Sequence, residues 1–142
     1  GERRAIGGFA VPAGTGMAYG LLTKDINPIH MSGLLARLFG HDRDLAHGMW
    51  VMARALPLLA QSLGAVNPED PVRLDVAFKG PTYMERDVHV WAAGGAGAPG
   101  DLFEMHSGTN PRPSVVGRWR NVAADETLGV GCCNATKPSS KL

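Results

Sequence analysis

The pattern of apolar and polar positions divides the chain into two unlike halves. Arg3 to Phe9 reads as a first strand, weakened by Gly7-Gly8. Pro12 to Gly16 is a turn-rich loop, and Met17 to Leu22 an apolar segment of one or two helical turns. Met31 to Gly40 has apolar residues at helical spacing, and Gly40 ends it. His41-Asp42-Arg43-Asp44 then reads as a solvated loop. The longest helical stretch is Met49 to Leu63, where only Arg54 and Gln61 are strongly polar. A helix apolar nearly all round is expected to be buried. Pro57 should kink it, and Gly64 should end it.

Past that helix the period changes. Val72, Leu74, Val76 and Phe78 alternate with Arg73, Asp75, Ala77 and Lys79, which predicts a half-buried strand. Gly80-Pro81 breaks it. Asp87 to Ala92, Leu102 to His106 and Val115 to Ala123 read as three more strands. Gly94 to Gly100 is a flexible hairpin loop, and Asn110-Pro111-Arg112-Pro113 a second break. The class is α+β. An antiparallel sheet wrapped around the long helix would bury the helix and one face of every strand. Residues 1–124 are expected to form one domain. Residues 125–142, where the pattern is lost, are expected to be a flexible C-terminal tail.

Composition changes this picture little. With 142 residues, 44% hydrophobic and 19% charged, the chain suits one globular domain. A net charge of +1 gives no argument for nucleic acid or a membrane surface. No apolar run reaches transmembrane length, and no secretory leader is expected. The two cysteines, Cys132 and Cys133, are adjacent and offer no disulfide framework, which fits a reducing compartment. Neither is spaced as a zinc ligand with the five histidines, so no metal is expected.

Chemistry concentrates in Thr23-Lys24-Asp25-Ile26-Asn27-Pro28-Ile29-His30. Pro28 fixes its own φ and pushes Asn27 out of the helical region, so Asp25, Asn27 and His30 share a shaped turn. Asp25 and His30 could act as an acid/base pair on one small substrate. The same residues also describe an Asx-type turn capping a helix, with a histidine that happens to follow. His47-Gly48 opens the long helix, where free N–H groups attract developing negative charge and Gly48 permits close approach. The plainer alternative is that Gly48 relieves crowding where the helix meets the sheet.

Asp25-Ile26-Asn27-Pro28-Ile29-His30, followed by Ala46-His47-Gly48-Met49, resembles the paired signature of the MaoC-like (R)-specific enoyl-CoA hydratases. That signature is a D-x-N-P-x-H turn, an overhanging segment, and H-G-[ML] at the start of a central helix. The resemblance runs from about Met17 to Ala92. It departs at Thr23-Lys24, where the pattern has Ser-Gly. It implies a single hot-dog fold and reversible hydration of trans-2-enoyl-CoA to (R)-3-hydroxyacyl-CoA. Asp25 and His30 match the catalytic pair, Asn27 the residue that orients it, and the Gly48 N–H the oxyanion donor. His47 is expected to hold the helix start. With Met49, Leu34 and Lys79 it is also placed at the substrate. Met31 to Ala46 matches the overhang that shapes the acyl pocket. No cofactor is implied, coenzyme A being part of the substrate, and a homodimer is. Ser140-Lys141-Leu142 reads as an address for a peroxisomal import receptor, hence a peroxisomal or glycosomal matrix location and fatty acid metabolism. The competing readings are a hot-dog acyl-CoA thioesterase and a non-catalytic acyl-CoA-binding subunit.

Overall fold

The computed structural model describes residues 3–63, 71–93 and 101–122. The predicted hairpin loop, the adjacent cysteines, the tail and its terminal tripeptide lie outside the described residues. Five strands form one antiparallel sheet in the order β1-β3-β4-β5-β2. They are β1 (Arg3–Ala10), β2 (Val72–Phe78), β3 (Asp87–Ala93), β4 (Asp101–Ser107) and β5 (Val115–Asn121). Among the described residues, four helices precede β2: α1 (Thr15–Thr23), α2 (Pro28–Met31), α3 (Gly33–Leu38) and α4 (Gly48–Leu63).

The core forms where α4 crosses the sheet. Val51, Met52, Ala55, Leu59 and Leu63 of α4 meet Val88 and Val90 of β3, Phe103 and Met105 of β4, and Val115 and Trp119 of β5. Strand β3 shows why the sheet is one-sided. Val88, Val90 and Ala92 are buried, while Asp87 before them and His89 between them are exposed. Strand β1 holds despite its two glycines because they have local uses. The register shifts between Ala5 and Gly7, and Gly7 takes φ 145°, which glycine adopts readily.

Three expectations need correction. The long helix is not buried all round. Met49 is 63% exposed and Leu56 40%, because the sheet of this chain covers one side only. The helix expected over Met31 to Gly40 is two short ones. Pro28 at N1 and the Asn27 cap start the first three residues earlier, and Ser32 is extended (φ −152°, ψ 129°) and divides them. Gly40 does end the second, with φ 84°. His41 to Asp44 is not a fully solvated loop. His41, Arg43 and Asp44 are half-buried, held where the Met84 N–H bonds the Asp44 carbonyl at 3.1 Å.

Candidate active site

The turn from Asp25 to His30 is built as the proline and the asparagine require. Asn27 has φ −57° and ψ 127°, and its side chain accepts a hydrogen bond from the Ile29 N–H at 3.3 Å. Its side chain thus caps the start of α2 one residue before His30; no bond from it to the Asp25 or His30 side chain is seen among the described residues. Helix α1 seats the turn from behind. A methyl group on Gly16 would run into the His30 carbonyl, and one on Gly20 would lie 2.7 Å from the Asp25 carbonyl oxygen. Two glycines one helical turn apart thus let α1 lie directly on the turn's backbone.

His30 Nδ1 lies 2.8 Å from the Leu45 carbonyl oxygen. A carbonyl only accepts, so Nδ1 carries the proton and Nε2 keeps its lone pair. Burial holds this imidazole below its ordinary 6.5. The Leu45 carbonyl and Asp25 pull it upward, and His47 and His41 add to the depression. His47 is buried at 4% exposure. Its Nε2 is 3.0 Å from the Asp25 carbonyl oxygen and 3.6 Å from Asp25 Oδ2. The His30 and His47 rings stack, with centroids 3.8 Å apart and planes 29° apart.

A carboxylate oxygen of Asp25 and one ring nitrogen each of His30 and His47 all lie within 4.8 Å of one another. Two imidazoles and a carboxylate are donors that zinc accepts. Stacked rings, however, aim their in-plane lone pairs side by side rather than at one point. A shared ion would need one ring to turn.

His30 also lines a cavity of about 560 Å³, together with the start of α4. Gly48 and Met49 line it, with Lys79 and Phe78 from the end of β2. Gly48 is the first residue of α4, so its N–H has no partner within the helix. Of the residues placed at the substrate from sequence, Met49 and Lys79 line the cavity, and His47 stands behind it. Leu34 is 71% exposed and lies outside its lining. Sequence reasoning missed His41, hidden in an apparently solvated loop, and Phe78, whose place at a strand end was visible.

The family model described as MaoC like domain matches residues 11–109, a span that includes the turn, the overhang and the opening of α4. The chain belongs to the MaoC-like dehydratase family. Solved structures of the same fold include the (R)-hydratase from A. caviae involved in PHA biosynthesis. It is 19% identical with a TM-score of 0.62, and the match covers 86% of this chain and 96% of that one. HtdX of Mycobacterium tuberculosis is 24% identical (TM-score 0.64), over 82% of this chain and 47% of HtdX, so this chain spans about half its length. The MaoC-like dehydratase from Rhodospirillum rubrum is 18% identical (TM-score 0.62), over 87% and 90%. No curated protein sequence matches the chain. The shared architecture is the hot-dog fold. The family's Ser-Gly is Thr23-Lys24 here, and Lys24 takes the left-handed φ of 63° that suits glycine. Holding a lysine in that conformation costs about 1 kcal/mol.

Proposed function

We propose that this protein hydrates trans-2-enoyl-CoA thioesters to (R)-3-hydroxyacyl-CoA, reversibly. The observation that carries the proposal is the cavity lined by both His30 and Gly48, the first residue of α4; Asp25 is outside its lining, with a carboxylate oxygen within 4.8 Å of a His30 ring nitrogen. Adding water across a conjugated thioester needs an activated water, a proton for C2 and stabilisation of an enolate-like oxygen. In this reading Asp25 and His30 hold one water. His30 Nε2 takes its proton as the oxygen bonds C3, and returns that proton to C2. The Gly48 N–H holds the thioester oxygen while it carries charge. Lys79, on the same cavity lining, is the cation this reading assigns to a phosphate of coenzyme A. A homodimer belongs to the same reading, since Met49 and Leu56 leave the outer side of α4 apolar and exposed. Where Ser140-Lys141-Leu142 forms the carboxyl terminus, it would send this chemistry to a peroxisome or glycosome.

The test is an absorbance assay with crotonyl-CoA and a longer trans-2-enoyl-CoA, followed by chiral analysis. Loss of the conjugated absorbance with an (R)-3-hydroxyacyl product is expected. A folded protein that consumes neither substrate would overturn the proposal, and release of free CoA would indicate a thioesterase. The same assay reads the base. Since His30 is depressed, the acid limb of kcat/KM should have its midpoint below 6.5. A midpoint at or above 6.5 speaks against His30. Stability has the same sign. Between the folded-state pKa and 6.5 the unfolded chain binds this proton more tightly. The His30 contribution to stability is therefore steady above 6.5 and falls as pH drops through that window.

The α1 seat gives a second expectation. Gly20→Ala places a methyl group 2.7 Å from the Asp25 carbonyl oxygen, so the backbone of the turn must move. Misplacement of a reacting group by ~1 Å costs up to about 10²-fold, and a shift of a few tenths should lower kcat by about 10-fold. Steady-state kinetics beside circular dichroism would check it, with an unchanged kcat denying the seat its role.

A further inference from the structure

We infer that His47 is a positioning residue: one N–H holds the Asp25 backbone, one ring face holds the His30 imidazole, and both act at the start of α4. The inference rests on the hydratase reading for its kinetic consequence, though not for its geometry. His47 lies 22 positions from Asp25 in the chain. The Asp25 carbonyl accepts from Nε2 at 3.0 Å, so Nε2 carries the proton. That leaves the lone pair on Nδ1, and Nδ1 is buried with no hydrogen-bond partner.

A histidine kept only to fill space would be a poor choice here. A phenyl ring, only slightly larger, would supply the ring contact beside Tyr19, whose centroid is 5.0 Å away, without burying an unpaired nitrogen. What a phenyl ring lacks is the N–H to Asp25. The carbonyl of His47 accepts the first helical bond of α4, from the Val51 N–H at 3.1 Å, and Gly48 follows it directly. One residue therefore fixes the spacing between the acid/base pair and the N–H group proposed to hold the thioester oxygen. A site of this kind keeps an internally unsatisfied group where geometry matters more than stability.

The experiment pairs two substitutions with one measurement on the native protein. His47→Phe keeps a ring and removes the donor. His47→Gln removes the ring and keeps an amide N–H at similar reach. With crotonyl-CoA, His47→Phe should lower kcat about 30-fold with KM within about threefold, while its melting temperature holds or rises. His47→Gln should recover most of that kcat at a lower melting temperature. A His47→Phe protein that turns over normally overturns the inference. So does a loss of kcat in step with melting temperature in both variants, which marks a merely structural ring. Nitrogen-15 NMR of the native protein decides the case if neither variant folds, or if the native protein turns over no thioester. A proton on His47 Nε2 is expected, and an Nε2 that carries none overturns the inference.

Discussion

Asp25→Asn should lower kcat by about 10³-fold while the protein folds and melts as before. A positioned acid/base pair contributes roughly 10²–10⁴-fold, and asparagine has the shape of aspartate without the carboxylate charge that holds the water against His30. The fold should be indifferent because the Asp25 side chain is 58% exposed. It is the Asp25 carbonyl, not its carboxylate, that His47 grips at 3.0 Å. The carboxylate lies 3.6 Å from the same nitrogen, beyond a direct hydrogen bond. A surface substitution of this kind changes stability by about 0.5 kcal/mol or less. The measurement is crotonyl-CoA turnover beside thermal unfolding. A variant that keeps a tenth of native activity would remove Asp25 from the chemistry. A variant that melts much earlier would mean the carboxylate holds the turn and not a water.

Local chemistry made much of this legible in sequence. Pro28 behind Asn27 permits few backbone courses, and the turn follows one of them. Alternation in β2 points to the sheet, since a strand with one covered face must repeat every second residue. What stayed hidden depends on what covers each residue. Helix α4 reads as buried all round, yet its Met49 and Leu56 are exposed in this chain. Ser32 carries no mark of the extended conformation that splits the overhang. Gly16 and Gly20 look like weak points in a short helix, and their use appears only once the His30 and Asp25 carbonyls are seen against them. His41 sits among charged neighbours, so its part in the cavity wall depends on the loop folding back toward Thr82.

Gly48→Ala should lower kcat/KM by about 10²-fold, and a second change should restore much of it. A methyl group at residue 48 would lie 2.6 Å from Phe78 Cε1, 2.9 Å from Cδ1 and 3.0 Å from Cζ. Real carbon atoms do not sit that close, so the Phe78 ring must swing away or the start of α4 must retreat. Either motion alters the cavity at the N–H proposed to hold the thioester oxygen, where loss of one donor costs about 10²–10³-fold. The substitution leaves the N–H itself in place. Phe78 is 51% exposed on the edge strand, so its ring has room to be trimmed. Phe78→Leu alone should cost about fivefold or less, and the double substitution should be faster than Gly48→Ala. That recovery is the signature of two residues acting through one contact, and a double-mutant cycle on kcat/KM measures it. Strictly additive losses would mean that the new methyl group obstructs the thioester directly. Gly48 would then be required by the substrate and not by Phe78.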